Sequence, residues 1–212
     1  MRGLYPIVDV DALKTRGIAL LDFAEQVLSA RPAMLQLRAK HEGSRETLAL
    51  LSALVPRCRA RGTLLFANDR PDLALLAGCD GVHVGQDDVP LALVRKLAPT
   101  LKVGVSTHDL AQVDAALAER PDYVAFGPIF ATGSKQNPDP VVGVEGLELA
   151  AARARAAAVP LVAIGGITLE RAAQVARAGA LAAVIAALMP EADDQADVSV
   201  RATAFQRVLC AP

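Results

Sequence analysis

The stretch AMLQLRAKHEGSRETLALLSALVPRCRARGTLLFAN, residues 33–68, decides the fold. It begins and ends with short apolar runs typical of buried strands, AMLQLR (33–38) and TLLFAN (63–68). The residues between them, 44–61, are rich in Ala, Leu, Arg and Glu, which favour a helix, and Gly62 can end that helix in a left-handed conformation. The stretch therefore predicts a strand, a helix and a second strand in succession.

The same alternation extends along the whole chain. Further helices are predicted at 16–30, 109–120, 145–158 and 168–178, and the polar segment 190–199 precedes a last one. Eight strand-like runs separated by helices predict an α/β fold, a (β/α)₈ TIM barrel, in a single domain over residues 1–212. The six strand-like runs outside the opening stretch are LYPIVD (4–9), DGVHVG (80–85), LKVGVS (101–106), DYVAFG (122–127), PLVAIG (160–165) and LAAVIA (181–186).

Residues at the predicted helix ends agree with this assignment. Asp109 and Thr168 stand where a side-chain oxygen can cap the helix that follows. Gly179 stands where a glycine can end the helix that precedes it.

Composition and charge narrow the classes of function. The chain has 212 residues, of which 53% are hydrophobic, enough for one core of ordinary size. Lys and Arg number 22 against 23 Asp and Glu, so the net charge of −1 gives no general attraction to nucleic acid or to an anionic membrane. No apolar run approaches the roughly 20 residues of a membrane span, and the N-terminus lacks a signal-peptide pattern. Three cysteines without metal-binding or disulfide spacing predict reduced thiols in the cytoplasm.

Polar residues gather where the predicted strands end. In a barrel of parallel strands the active site lies at the carboxyl ends of the strands. Gln36, Arg38 and Lys40 follow a two-residue period at the end of the second run, which points their side chains to one face. Asn68 ends the third run and Ser106 the fifth. We therefore expect amide, cationic and hydroxyl groups together at the barrel mouth.

Carboxylates are expected at the same mouth. Asp69 follows the third run, and Asp87 and Asp88 follow the fourth, so carboxylates would lie on neighbouring strands. Two carboxylates about 4 Å apart repel by roughly 4 kcal/mol at an effective dielectric constant of about 20. A shared proton, the guanidinium of Arg70 or a divalent cation such as Mg²⁺ would offset that repulsion. The competing interpretation is that Asp69 caps a helix beginning near Pro71.

The other side of the mouth offers groups typical of phosphate sites. Residues 128–144 form a long, turn-rich segment that predicts a mobile lid, unless it is an ordinary surface loop. Gly165-Gly166 and Ala186-Ala187 follow the seventh and eighth runs, where such barrels bind phosphate through backbone N–H groups, although a plain turn also explains the glycine pair. The candidate residues on the predicted lid are Thr132, Gly133, Ser134 and Lys135.

The histidines and the possible nucleophiles give less evidence of a catalytic role. His83, inside the fourth run, is expected to be a satisfied interior histidine, with His108 on a loop and His41 on the surface. The chain has no Cys/His pair and no Ser-x-Gly nucleophile motif, which argues against acyl transfer. The cations, carboxylates and glycine turns together favour a diphosphate with its metal ion, plus a second phosphate.

The motifs, taken in order, resemble those of the thiamine phosphate synthase family of TIM-barrel enzymes. The resemblance implies a transferase that joins 4-amino-2-methyl-5-hydroxymethylpyrimidine diphosphate to 4-methyl-5-(2-phosphoethyl)thiazole. It also implies release of pyrophosphate, formation of thiamine phosphate and Mg²⁺ as the cofactor. The matching motifs are YPIVD (5–9), QLRAK (36–40), ND (68–69), DGVHVGQDD (80–88), GVSTH (104–108), DYVAFGPIFATGSK (122–135), VAIGGI (162–167) and AAVIAAL (182–188).

Carried over residue by residue, the resemblance implies three groups of site residues. Asp69 and Asp88 would hold Mg²⁺. The residues implied for the pyrimidine diphosphate are Gln36, Arg38, Lys40, Asn68, Ser106 and Lys135, with Arg38, Lys40, Ser106 and Lys135 as the catalytic candidates. The residues implied for the thiazole phosphate are Thr132, Gly133, Ser134, Gly166, Ile185 and Ala186.

The chain departs from the family pattern at Ala186 and Ser134, and Arg70 and Pro71 vary the context after Asn68-Asp69. Ala186 stands where the family often has Ser, which predicts weaker binding of the thiazole phosphate, and Ser134 stands where Thr is usual. The related thiazole tautomerase uses a histidine just after its sixth strand, where this chain has Pro128. A sugar-phosphate isomerase and a non-catalytic barrel that binds phosphate ligands are two further candidates. We expect small-molecule substrates and no nucleic-acid or membrane partner, and the sequence leaves open whether the protein is a monomer or a homodimer.

Overall fold

The fold is a closed barrel of parallel strands. A computed structural model describes residues 2–132, 139–190 and 198–211. Within these ranges eight parallel strands pair in chain order, and the first also pairs with the eighth. The (β/α)₈ TIM-barrel prediction is therefore confirmed. The strands are β1 (Gly3–Asp9), β2 (Met34–Arg38), β3 (Leu64–Asn68), β4 (Gly81–Val84), β5 (Lys102–Thr107), β6 (Tyr123–Phe126), β7 (Leu161–Ile164) and β8 (Leu181–Val184).

Helices alternate with these strands. The predicted helix 44–61 is confirmed, and Gly62 ends it in the left-handed conformation with φ 69°. The last helix was predicted after the segment 190–199 and begins at Val198, before that segment ends; residues 191–197 lie outside the described ranges. The helices in the described ranges are α1 (Val10–Thr15), α2 (Leu20–Leu28), α3 (Ser44–Arg61), α4 (Pro71–Ala77), α5 (Leu91–Leu97), α6 (Leu110–Ala118), α7 (Gly143–Ala156), α8 (Leu169–Ala178) and α9 (Val198–Cys210), with a short 3₁₀ helix over Ala186–Leu188.

The helix predicted over 16–30 is wrong in its first part. The chain forms α1 directly after β1, and α2 begins only at Leu20. The cause is Asp9, whose Oδ1 accepts a hydrogen bond from the N–H of Ala12 at 2.9 Å and so caps α1. Gly17, with φ 65°, then turns the chain between the two helices.

The predicted helix ends have different outcomes. Asp109 caps α6 as predicted, because its Oδ1 accepts from the N–H of Gln112 at 2.8 Å. Thr168 occupies the position before α8 but makes no capping hydrogen bond, so the side-chain cap predicted there is wrong. Its side chain bonds to Glu170 instead, and this hydrogen bond lowers the pKa of that carboxyl. Gly179 ends α8 in the left-handed conformation, as predicted.

Aromatic rings fill the barrel interior. The rings of Tyr5, Phe66 and Tyr123 pack edge to face, with centroids 5.4, 5.8 and 6.1 Å apart. Two glycines make room for them. A Cβ on Gly104 would lie 2.0 Å from the ring of Tyr123, and one on Gly81 would lie 2.3 Å from that of Phe66. The rings therefore form an aromatic base beneath the polar groups at the carboxyl ends of the strands.

The three cysteines form no disulfide with one another. Cys58 and Cys79 are buried and Cys210 is exposed, and all three are free thiols. Burial raises the pKa of Cys58 and of Cys79 to about 12.

Among the helices of the described ranges, none has the length and apolarity needed to cross a bilayer.

Candidate active site

A large cavity opens at the carboxyl ends of the strands, with a volume of about 840 Å³. Three of the residues expected at the site, Gly133, Ser134 and Lys135, lie outside the described ranges. All the other expected residues line the cavity: Gln36, Arg38, Lys40, Asn68, Asp69, Asp88, Ser106, Thr132, Gly166, Ile185 and Ala186.

Strand β2 carries an amide and a guanidinium into the cavity. Gln36 is buried, and its Nε2 donates to the hydroxyl of Tyr5 at 3.1 Å. Arg38 donates to Oδ2 of Asp9, which pairs with it in the register of β1 and β2. Asp9 therefore has two roles, since one carboxylate oxygen caps α1 and the other holds Arg38. Neither role was predicted, although an acidic residue at the end of the apolar run LYPIVD was a signal for a polar contact at the barrel mouth.

Lys40 is the cation that lies beside Asp69. Its Nζ forms an ion pair and hydrogen bond with Oδ2 of Asp69. The suggestion that Arg70 supplies this charge is wrong, because Arg70 bonds to both carboxylate oxygens of Asp72 at 2.7 and 2.9 Å and to Ser44 at 3.1 Å. The competing interpretation of Asp69 as a helix cap is also wrong, since α4 begins after Arg70 without any side-chain capping bond.

Asp69 is held in an unusual backbone conformation. Its φ is 61°, a left-handed value that non-glycine residues adopt at an energetic cost, which is smaller for Asp than for most side chains. The N–H of Asp69 donates to the carbonyl of His83 at 2.8 Å. This bond ties the residue after β3 to β4 and helps to fix the carboxylate at the mouth.

Asp88 lies close enough to Asp69 to raise the pKa of its carboxyl group. Oδ2 of Asp88 also accepts from the N–H of Gly85 at 2.7 Å, which holds it in the loop after β4. Burial raises the pKa of Asp69, the hydrogen bond from Lys40 opposes this, and Asp88 raises the pKa further. The net shift is upward, so the ammonium of Lys40 offsets only part of the cost of placing these two acids together.

His83 is buried and both of its ring nitrogens have partners, as expected for an interior histidine. Its Nδ1 lies 2.8 Å from the hydroxyl of Tyr123, and its Nε2 lies 2.8 Å from Oγ of Ser106. Burial lowers the pKa of His83 to about 4, which keeps the ring neutral near pH 7. This interior histidine also reaches the cavity wall and contacts a candidate catalytic residue, which was not predicted from the sequence.

The opposite side of the cavity is built from backbone. Gly165 and Gly166 adopt φ values of 98° and 61° after β7. A Cβ on Gly166 would lie 2.3 Å from the carbonyl oxygen of Ala131, so glycine is required by close packing as well as by conformation. Arg171 stabilises this corner: its Nη1 donates to the carbonyl of Gly166 at 2.8 Å, and its guanidinium lies 4.7 Å from the ring centre of Phe130.

The eighth strand ends beside that corner. The short 3₁₀ helix begins directly after Ile185, and Ile185 and Ala186 both line the cavity. Glycine turns and a helix start offer backbone N–H groups, which suit the oxygens of a phosphate. The cavity therefore has one side of carboxylates and cations and another side of backbone turns.

The other two histidines lie where they were predicted, and one of them also lines the cavity. His41 is exposed, and its Nδ1 lies 2.8 Å from Oδ2 of Asp11. His108 follows β5 in a loop, as expected, but it also lines the cavity. Its Nδ1 lies 2.8 Å from the carbonyl oxygen of Gly127 and 3.5 Å from Oδ2 of Asp139.

Comparison with known proteins agrees with this geometry. A family model described as thiamine monophosphate synthase matches residues 4–188. The thiamine-phosphate synthase of Anaeromyxobacter dehalogenans is 44% identical over 206 residues, which cover 96% of this chain and 88% of that protein. That of Koribacter versatilis is 42% identical over 210 residues, which cover 97% of this chain and 95% of that protein.

A solved structure points the same way. The thiamine phosphate pyrophosphorylase from Pyrococcus furiosus superposes with a TM-score of 0.84 at 28% identity, covering 97% of this chain and 94% of that one. Sequence and structure thus agree over almost the full length of the chain. The chain belongs to the thiamine monophosphate synthase family, whose members are transferases.

Proposed function

We propose that this chain joins 4-amino-2-methyl-5-hydroxymethylpyrimidine diphosphate to 4-methyl-5-(2-phosphoethyl)thiazole. The thiazole nitrogen forms a bond to the pyrimidine methylene carbon, the bond from that carbon to the diphosphate oxygen breaks, and pyrophosphate leaves with the electron pair. The product is thiamine phosphate. The observation that carries this proposal is the shared cavity, where Asp69, Asp88, Arg38 and Lys40 face a separate corner of backbone turns.

The diphosphate fits the side formed by β2, β3 and β5. Arg38 and Lys40 supply positive charge, and both are preorganised by carboxylate partners. Gln36, Asn68 and Ser106 add amide and hydroxyl groups along the same wall. Lys135, outside the described residues, is proposed to complete this side as a further cation.

The donor set at Asp69 and Asp88 fits Mg²⁺. Their two carboxyl groups are neighbours, and burial together with Asp88 raises the pKa of Asp69, the condition that a bound cation relieves. Among the described residues, no group of three or more His, Cys, Asp or Glu side chains could hold a metal. Mg²⁺, however, usually takes one or two carboxylates and fills its other positions with water and substrate phosphate. Held by these two residues, Mg²⁺ would neutralise charge on the diphosphate leaving group.

The thiazole phosphate fits the corner of backbone turns. Gly166, Ile185 and Ala186 line it, and Thr132 lies at its edge. Gly133 and Ser134, outside the described residues, are proposed to close over the same phosphate. Ala186 has no hydroxyl, so binding at that point depends on backbone N–H groups.

The reaction needs charge stabilisation more than a covalent catalyst. As the carbon–oxygen bond breaks, negative charge grows on the departing diphosphate and positive charge grows on the methylene carbon. Arg38, Lys40 and Ser106 are placed to stabilise the departing anion, and such preorganised electrostatics commonly supplies the largest share of rate enhancement. A cavity that excludes water protects the cationic carbon from hydrolysis.

The rival enzyme function is less well supported. The related thiazole tautomerase uses a histidine just after its sixth strand, whereas the residue after β6 here is Pro128, which lines the cavity but has no side-chain proton to transfer. We also propose that the protein acts in the cytoplasm, where free thiols such as Cys58 and Cys79 stay reduced.

The test is pyrophosphate release by the purified protein with Mg²⁺ and both substrates. The proposal requires that release stops when either substrate is omitted and when EDTA is added. Isomerisation of a thiazole carboxylate in the absence of the pyrimidine diphosphate would favour the tautomerase. Binding of both substrates without turnover would favour a non-catalytic barrel.

A further inference from the structure

A chain of hydrogen bonds crosses the barrel interior beneath the cavity. Gln36 Nε2 donates to the hydroxyl of Tyr5 at 3.1 Å, and the hydroxyls of Tyr5 and Tyr123 lie 2.9 Å apart. The hydroxyl of Tyr123 lies 2.8 Å from Nδ1 of His83, and Nε2 of His83 lies 2.8 Å from Oγ of Ser106. All members except Ser106 are buried, so a hydroxyl proton turned out of the chain would have few acceptors.

Gln36 sets the direction of this chain, because an amide nitrogen donates and does not accept. The oxygen of Tyr5 receives that hydrogen bond, and its own proton is left for the oxygen of Tyr123. Among the described residues, the hydrogen-bond partners of the Tyr5 hydroxyl are Gln36 and Tyr123. In the reverse direction the Tyr5 oxygen would accept twice and its buried proton would have no acceptor, which is unfavourable.

The direction continues through the histidine. Tyr123 receives a proton from Tyr5 and donates its own to Nδ1 of His83. A neutral imidazole carries one N–H, which must then be on Nε2, the nitrogen that faces Ser106. The Ser106 oxygen therefore accepts from His83, and its own proton is not used by the ring.

We infer that His83 is a positioning residue that carries its proton on Nε2 and so directs the hydroxyl proton of Ser106 into the cavity. With the opposite tautomer, Ser106 would donate to the ring and turn oxygen lone pairs toward the cavity. A diphosphate offers only acceptor oxygens to a hydroxyl, so the tautomer decides whether Ser106 attracts or repels it. This consequence for catalysis rests on the proposed function, whereas the tautomer itself does not.

The tautomer can be measured on the ligand-free protein. A long-range ¹H–¹⁵N correlation spectrum near neutral pH separates protonated from unprotonated ring nitrogens, and the chain has only 3 histidines to assign. The signals of His83 are those lost in His83→Gln. We expect Nε2 to be protonated and Nδ1 unprotonated. A proton on Nδ1 would overturn the inference whatever the protein catalyses.

Two substitutions at His83 test the catalytic consequence. The amide of Gln can reach the place of Nε2 and donate to Ser106, whereas the amide of Asn reaches only the place of Nδ1. We expect His83→Gln to keep kcat within about tenfold of wild type and His83→Asn to lose at least about 100-fold, the usual cost of one transition-state donor. The KM for the thiazole phosphate should stay unchanged in both.

The control variant is Thr107→Val. Thr107 neighbours Ser106 on β5 and is buried, and its Oγ1 donates to the carbonyl of Ala125 at 2.8 Å, outside the chain of hydrogen bonds. This variant should lower thermal stability and leave kcat unchanged. Equal losses of kcat in His83→Gln and His83→Asn would overturn the positioning role. A wild-type protein without turnover, but with the expected tautomer, would instead count against the proposed function alone.

Discussion

Lys40 and Asp69 form an ion pair at the barrel mouth, which joins the loops that follow the neighbouring strands β2 and β3. The carboxylate that we assign to a divalent cation is therefore held by an ammonium group in the ligand-free protein. Asp88 lies against the same carboxyl group and raises its pKa. The partner of Lys40 is Asp69 without ligand and, in the proposed complex, would be the diphosphate. The pair thus links the cation site to the diphosphate site.

Asp69→Asn should lower kcat at least about 100-fold, equal to about 2.7 kcal/mol, because an amide cannot balance the charge of a divalent cation. The measurement is steady-state pyrophosphate release. The control is Asp72→Asn, which makes the same chemical change three positions away, where the carboxylate pairs with Arg70 outside the cavity. Normal turnover in Asp69→Asn, or equal losses in both variants, would contradict the assignment.

Asp9→Asn should raise the KM for the pyrimidine diphosphate about tenfold, or about 1.4 kcal/mol, because Arg38 loses its charged partner. The melting temperature should fall less than in Asp9→Ala, since Asn caps helices as well as Asp does. Asp9→Ala should show the same kinetic defect together with a clear loss of stability, because α1 loses its cap. Unchanged kinetics in Asp9→Asn would mean that the carboxylate serves only the helix.

The barrel could be predicted from sequence because each strand and helix shows its own local pattern. The mouth residues could be predicted because parallel strands place their carboxyl ends together, which brings Arg38, Asp69 and Ser106 into one cavity. These predictions need only the order of the elements along the chain.

The individual partners could not be predicted because they depend on strand register and on side-chain direction. Asp9 meets Arg38 only through the pairing of β1 with β2. In the same way, Lys40 and not the adjacent Arg70 reaches Asp69, because the chain after β3 turns Arg70 toward Asp72. Because Arg70 is next to Asp69 in the sequence, sequence distance alone would have favoured Arg70 as its partner.

Only Cys210 should react rapidly with a thiol reagent in the native protein. Burial raises the pKa of Cys58 and of Cys79 from 9.0 to about 12, so at about pH 8 almost none of either is thiolate. A spectrophotometric thiol count should give one fast thiol, and three after unfolding in urea. In Cys210→Ser the fast reaction should disappear. A second fast thiol in the native protein would show that a buried cysteine is accessible.

Stability should fall in acid partly through His83. Burial lowers its pKa from 6.5 to about 4, so below pH 6.5 the unfolded chain binds a proton that the folded protein excludes. As the pH falls from 6.5 to about 4, this difference lowers the free energy of unfolding by up to about 3 kcal/mol. Urea unfolding of wild type and His83→Gln at several pH values isolates the contribution of His83 to the pH dependence of stability. The wild-type advantage should shrink as the pH falls from about 7 to about 4, and a constant difference would contradict the buried neutral ring.

The most direct measurement is a crystal structure of the protein grown with Mg²⁺ and pyrophosphate. The account predicts one oxygen each from Asp69 and Asp88 at about 2.0–2.1 Å from the ion, with Lys40 moved from Asp69 to a diphosphate oxygen. A structure in which either carboxylate points away from the ion, while Lys40 still holds Asp69, would contradict it.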